Sequence, residues 1–439
     1  SEINEAKEKP IALIIGCWME YDVIGRTINL ALRNLKYKNY RIFVAVYQND
    51  EKTIAEIRKY SDNDPRVIMA VNPKNGPTSK ADNLNNAYRC IKTYEEQYGD
   101  FGVILIHDSE DFIHPLSMKL YNYLIMHKGY DAVQIPVVPI KSEVGRLFHR
   151  TYCDAFAEVH TKDVIVRQAL GSFVPFAGTG MAFNRKVFYY MEDWDRNYLD
   201  VLKKFAPVTE RQINEKENND NIAYIIGPTE EKFRIFNDGN LTEDYELGLK
   251  LHKLGFKVFF VNLMFKEDKL GDIIATKGYF PNAFWPAVKQ RSRWIAGINL
   301  QNWKIHKWQG NLITRYFLLR DRKGLFTNLF LLTSTLFFLY CLLYVIDENL
   351  SLDVLIPIID TNSTLFYSLL SAMIFLAIRI FHRIHFTNKW YGPRYAIFSV
   401  GRLFVDNVVN FFASLRAIKV FFAVKGANKT LVWDKTDHY

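Results

Sequence analysis

Cysteine is scarce in this chain. Cys17, Cys90, Cys153 and Cys341 lie far apart among 439 residues, and no C-x-x-C pair occurs. That excludes a disulfide framework and a structural zinc site. No internal repeat or low-complexity tract stands out. The chain opens at Ser1 on a polar, charged run with no signal-peptide core, and the missing initiator Met gives the expectation that upstream residues have been removed. Acidic residues are outnumbered, 47 Asp and Glu against 56 Lys and Arg, for a net charge of +9. A basic balance suits nucleic acid, an anionic membrane or anionic substrates. Zinc-finger spacing, an RNP-type aromatic motif and a long basic arm are all missing, and the basic residues crowd around apolar segments near the C-terminus. The charge therefore reads as membrane topology, with no nucleic-acid partner expected.

Half of the chain is apolar, which argues against disorder. Apolar runs of strand length stand at Ile11–Trp18, Arg41–Gln48, Val67–Asn72, Phe101–Asp108 and Ala132–Pro139. Helix-like patterns lie between them, near 22–35, 51–60, 79–98 and 115–127. Buried β-branched strands alternating with helices predict an α/β fold with a mainly parallel sheet. Ligands of such sheets bind beyond the carboxyl ends of the strands. That directs attention to Glu20, to Asp50 and to the HDSED run at 107–111. A polar stretch from about 195 to 240 reads as a surface insertion with some helix.

Leu325–Ile346 is 22 residues without a charge, long enough to cross a bilayer. Residues 364–382 make a second span if Arg379 snorkels. The connection Asp347–Ser363 holds four acidic groups and no Lys or Arg, whereas both outer flanks are basic. The positive-inside rule then places the flanks in the cytoplasm. Two buried core helices would be the plainer alternative, and the charge asymmetry argues against it. Residues of about 395–424 are apolar but broken by Arg402, Asp406, Arg416 and Lys419. Charges at mid-membrane are costly, so an interfacial amphipathic helix is expected there. The expected layout is a catalytic domain over 1–310, a membrane region over 311–425 and a cytoplasmic tail over 426–439.

Several short segments carry chemistry. Asp108, Glu110 and Asp111 end a buried strand, where neighbouring carboxylates repel unless a cation separates them. Mg2+ or Mn2+, with a substrate diphosphate completing its shell, would resolve that. A solvated acidic turn is the plainer reading. The run LTEDYELGLKLHKLG starts a helix at which Thr242 can cap, placing Glu243 and Asp244 at the positive end; good N-terminal helix residues alone would look the same. KQRSRWIAG holds Gln290, Arg293 and Trp294, suited to phosphate pairing and sugar stacking, or to an ordinary membrane-proximal helix. Lys80, in GPTSKADNLNNA, sits near a helix start where it could meet a phosphate, or is a surface lysine.

Taken in order, an acidic strand end, T-E-D, then Q-x-x-R-W ahead of apolar spans resembles the processive branch of family-2 glycosyltransferases, which includes cellulose, chitin and hyaluronan synthases. The phrases GPTSKADNLN, HDSEDFIHP, FAEVHTKD, FAGTGMAFNR and WDKTDH further resemble the NfrB-type bacterial inner-membrane glycosyltransferases, nearly throughout the chain. Such proteins carry membrane segments before the transferase domain and a nucleotide-binding domain after it, and neither is present in this sequence.

The resemblance implies a GT-A fold, a UDP-sugar donor, a glycan or lipid-linked acceptor, and a regulatory domain or export partner supplied from elsewhere. It implies that Glu20, Asp50, Lys80, Asp108 and Arg293 meet the donor. Asp108, Glu110 and Asp111 would hold the metal, with Glu110 replacing the second Asp of the D-x-D pair. Asp244, with Glu243, would supply the base. Gln290, Trp294, Phe176 and Gly178 would meet the acceptor. Direct attack inverts the anomeric centre. The expected role is synthesis of an envelope or secreted polysaccharide at the bacterial inner membrane. Alternatives are single-sugar transfer to a lipid carrier, or a catalytically silent envelope scaffold.

Overall fold

The structure is a computed structural model that describes residues 2–142, 145–192, 222–228, 234–265, 272–351, 354–355 and 364–427. Its centre is an eight-stranded mixed sheet. The strands are β1 (Ile11–Gly16), β2 (Tyr40–Tyr47), β3 (Val67–Asn72), β4 (Val103–Asp108), β5 (Ala132–Gln134), β7 (Met181–Asn184), β8 (Tyr224–Ile226) and β9 (Val258–Phe260), in the order β8-β3-β2-β1-β4-β7-β5-β9. β6 (Val137–Pro139) pairs separately with β10 (Thr276–Gly278). Every residue of β1 is buried. Leu13 and Ile15 point into one apolar cluster, Ala12 and Ile14 into the other. That period of two, with both sheet faces covered, is why this segment reads as a continuous apolar run.

Helices α1 (Ile24–Asn34), α2 (Glu51–Ser61) and α3 (Lys80–Tyr98) follow the first three strands. Asp50 and Ser79 cap α2 and α3, each accepting a backbone N–H three residues on. The sequence places these elements well. The expected helix over 115–127 is an α-helix at Ser117–Asn122 that widens into a π turn at Tyr123–His127. The expected strand Ala132–Pro139 is divided: β5 stays in the main sheet, and beyond Pro136 the chain pairs elsewhere as β6.

One strand runs against the rest. β7 lies antiparallel between β4 and β5, with Ile106 opposite Met181. That register sets the loop before β7, residues 176–180, beside the carboxyl end of β4. The polar stretch of 195–240 is mostly outside the described residues, but its part Tyr224–Ile226 adds the edge strand β8 to β3.

The longer helices that follow are α4 (Leu147–Glu158), α5 (Glu243–Lys253), α6 (Phe284–Ile295), α7 (Leu312–Arg322), α8 (Gly324–Leu350), α9 (Thr364–Tyr391) and α10 (Ser399–Ala427). α8 and the Leu370–Tyr391 part of α9 are long and apolar enough to cross a membrane, by length and composition. α10 packs against α6, α4 and α8. Its Arg402 and Asp406 are buried against protein partners, while Arg416 and Lys419 are exposed. Two of the four charges that pointed to an interfacial helix are thus neutralised inside the molecule. The tail beyond residue 427 lies outside the described residues.

Candidate active site

The site forms where β1 and β4 end. Lys80, the first residue of α3, ion-pairs with Asp108 and donates to the Gly178 carbonyl at 3.1 Å. Gly178 has φ +76°, a conformation that favours glycine. A Cβ there would stand 3.1 Å from Asp244 Oδ2 and 3.5 Å from Lys80 Nζ. Four predicted residues, distant in sequence, therefore meet: Lys80, Asp108, Gly178 and Asp244.

α5 delivers Asp244 by close packing. A Cβ on Gly248 would lie 2.4 Å from the Val174 carbonyl, so the helix rests directly on the backbone leading into the 176–180 loop. Thr242 takes the N-cap position, yet its side chain makes no capping bond. Its hydroxyl accepts from Asn302 Nδ2 at 3.1 Å instead. Burial, then the neighbouring Glu243 charge, push the Asp244 carboxyl up to about 7. Burial also raises Glu243, opposed by Lys80 and Arg293. The Arg293 charge thus acts on Glu243.

The acidic strand end divides its labour. Asp111 turns back: its Oδ2 accepts the Asp108 backbone N–H at 2.8 Å, faces His107 Nδ1 at 2.9 Å, and accepts the Thr179 hydroxyl. Buried and so engaged, it braces the strand end. Glu110 accepts from the Ser109 hydroxyl at 3.0 Å and, like Asp108, is only partly buried. Buried Cys17 registers the local field. Its thiol is pushed up by burial first, then by Glu20, Asp50, Glu110 and Asp108. Carboxylates at the strand ends are hard-oxygen donors of the kind Mg2+ or Mn2+ takes. Among the described residues, no group of three or more metal-ligating side chains is gathered. Asp108 and Glu110 with a substrate diphosphate would still make a usual magnesium shell.

Asp50 accepts the backbone N–H groups of Met19 at 2.6 Å and Thr53 at 3.4 Å. Glu20 is buried beside it. Phe176 is a correction. Its ring is buried in the core against Phe183, with centroids 5.0 Å apart, so it supports the loop from beneath and does not face an acceptor. An aromatic in a glycine-rich loop resembles a sugar platform in sequence, and only packing separates the two. Gln290 lies on α6 with a buried Oε1 that has no hydrogen-bond partner among the described residues. Trp294 sits edge-on to Tyr152 and Phe156.

Two functional supports escaped the sequence reading. Gln134, buried in β5, donates to the carbonyls of Thr179 (2.9 Å) and Gly180 (3.2 Å) and accepts from Ala177 N at 3.0 Å. It holds the 176–180 loop at both ends. A lone Gln within an apolar strand was the available signal, since buried amides must find partners. Arg291, inside the Q-x-x-R-W element, bonds Asp406, Asn410 (2.8 Å) and Thr151 (2.7 Å). It fastens α6 to α10 and α4.

Comparison with known proteins gives the family. The pattern of "Glycosyl transferase family group 2" matches residues 103–346, over half of the chain, and that of "Glycosyl transferase family 2" matches residues 12–190. The whole chain aligns at 34% identity with bacteriophage adsorption protein B of Escherichia coli K12, and equally with bacteriophage N4 adsorption protein B of Escherichia coli O157:H7. It spans 56% of the length of those relatives. Among solved structures, a mannosyltransferase from Pyrobaculum calidifontis in complex with GDP-Man and Mn2+ is similar over 90% of this chain and 88% of that one, at 11% identity and a TM-score of 0.47. With a family pattern covering most of the strand-end site and the helices after it, the chain belongs to glycosyltransferase family 2.

Proposed function

We propose that this protein is an inverting, membrane-bound transferase that moves a hexose or N-acetylhexosamine from a UDP-sugar to a growing glycan, building an envelope or secreted polysaccharide. The observation that carries this reading is the convergence of Lys80, Asp108, Gly178 and Asp244. It joins a cation for a diphosphate, a carboxylate for a metal, a close-approach glycine and a base in one crevice.

Asp244 takes the proton of the acceptor hydroxyl as that oxygen attacks C1 of the donor sugar. The bond from C1 to the diphosphate oxygen breaks, UDP departs, and the anomeric centre inverts. A carboxylate held near 7 suits a base at neutral pH. Lys80 and Arg293 stabilise the charge on the leaving diphosphate. Asp108 and Glu110 would hold Mg2+ or Mn2+, which when bound neutralises that same charge. Glu20 and Asp50 border the nucleoside end. Gln290, with a buried amide oxygen that lacks a donor among the described residues, and Trp294 border the acceptor. Membrane lipids would surround α8 and α9, with the transferase domain in the cytoplasm of a bacterial inner membrane. The relatives are named for bacteriophage adsorption; a surface glycan made by such an enzyme would account for that link. Transfer of one sugar to a lipid carrier uses the same chemistry and differs in product length.

The test is release of nucleoside diphosphate by detergent-purified protein with Mn2+ or Mg2+ and a panel of nucleotide sugars. Release with one donor is expected, with a drop of about 10²–10⁴-fold in Asp244→Asn and donor binding retained. Full turnover in Asp244→Asn would remove the base assignment. Absence of both release and donor binding would favour a silent scaffold.

A further inference from the structure

Below the transferase domain, α4, α6, α9 and α10 enclose a cluster of buried arginines. Both oxygens of Asp406 are taken, Oδ1 by Arg291 and Oδ2 by Arg383 at 3.0 Å. Asp154 is taken by Arg402 through two bonds of 2.7 and 2.8 Å, and also accepts the Thr387 hydroxyl at 3.2 Å. Among the described residues, Arg379, one turn before Arg383 on α9, hydrogen-bonds only to the neutral Asn407 amide, at 3.3 Å. The nearby Glu158 is paired with Lys162 at 2.5 Å. Four guanidinium groups thus face two carboxylates. Arg383 is the least satisfied. It is 5% exposed, and its Nε and Nη1 are buried without a hydrogen-bond partner among the described residues.

A buried guanidinium with two idle donors, beside a second cation that has no carboxylate partner among the described residues, is costly unless an anion meets it. The anion must present several oxygens to a planar fork, which is the geometry of phosphate. Position narrows its source. Taken as the span, residues 364–382 put Arg379 in the last turn and Arg383 just past it, the depth at which a snorkelling arginine meets lipid headgroups. We infer that Arg379 and Arg383 form a phosphate-binding site for a membrane lipid headgroup, seated under Asp406. The inference rests on the membrane placement of α9 but not on the transferase chemistry, so failure of either leaves the other standing.

The experiment is thermal unfolding of the full chain in detergent, titrated separately with dioleoylphosphatidylglycerol, with dioleoylglycerol and with inorganic phosphate. Phosphatidylglycerol should raise Tm by about 4 °C at about a hundred times its dissociation constant and then saturate. Dioleoylglycerol, with the same tails and no phosphate, should do nothing. The phosphatidylglycerol shift should be lost in Arg383→Gln. Should that variant fail to fold, Arg379→Gln, at a half-buried position, should at least halve the shift. Full reproduction of the shift by inorganic phosphate would keep the site and assign it to the free ion. Equal shifts from both lipids, or an unchanged shift in Arg379→Gln and Arg383→Gln alike, would overturn it.

Discussion

At the scale of single residues, the site is governed by how charge is placed in a half-dry crevice. Asp244 titrates near 7 because burial and Glu243 both disfavour its ionised form. A base must be ionised, so kcat/KM should rise about tenfold per pH unit below 7 and level off above it; a profile flat from pH 5 to 8 would contradict the assignment. The sign for stability is the reverse. A carboxyl raised above its unfolded value favours folding most at low pH, and that contribution fades as pH rises through 7. Gly178→Ala tests the crevice wall. Its φ of +76° and a Cβ 3.1 Å from Asp244 Oδ2 predict a folded protein with lower turnover, read by circular dichroism beside the release assay. Charged residues were the legible part of the site. Asp108, Lys80 and Asp244 stood out through the ordered set and the resemblance it carries, since each alone reads as well as an acidic turn, a surface lysine or an ordinary helix start. Phe176 and Asp111 did not, because whether a ring points into the core, or a carboxylate back to its own backbone, is settled by contacts that no local pattern encodes.

At the scale of elements, β1 to β4 and their helices were readable because buried parallel strands leave uninterrupted apolar runs. β7 and β9 were not. Each is three or four residues long, and β7 runs against its neighbours. The consequence falls on the 176–180 loop, which is held by strand pairing on one side and by Gln134 on the other. Gln134→Met keeps the side-chain length and removes the amide. Leaving buried carbonyls unpaired costs about 1–3 kcal/mol each, so Tm should fall. kcat should fall while donor affinity changes little, since the loop borders the acceptor. Unchanged kinetics at a lowered Tm would make Gln134 a purely structural support.

At the scale of the whole molecule, the transferase half and the apolar helices are joined by buried ion pairs as well as by apolar packing. Tyr245, next to the proposed base, bonds Asp321 on α7 at 2.6 Å, and Arg167 grips the same carboxylate. Asp154 of α4 holds Arg402 of α10. Asp154→Asn leaves a buried guanidinium without its counter-charge, a loss of about 3–5 kcal/mol. Tm in detergent should drop by several degrees, and a neutral outcome would show that Arg402 finds water or lipid instead. The sequence shows the charges of 395–424 plainly but not their partners, which lie in segments far back along the chain. Polar breaks in an apolar helix look alike whether they face headgroups or a protein cavity.

The ion pair of Arg291 with Asp406 also sets an order of assembly. Its two halves are 115 residues apart. Domains fold as the ribosome releases them, amino-terminal parts first. Every proposed catalytic residue has emerged by Trp294, while the carboxylate that fastens α6 has yet to be translated. The nascent enzyme holds its chemistry complete but its strut unlatched until the last long helix arrives.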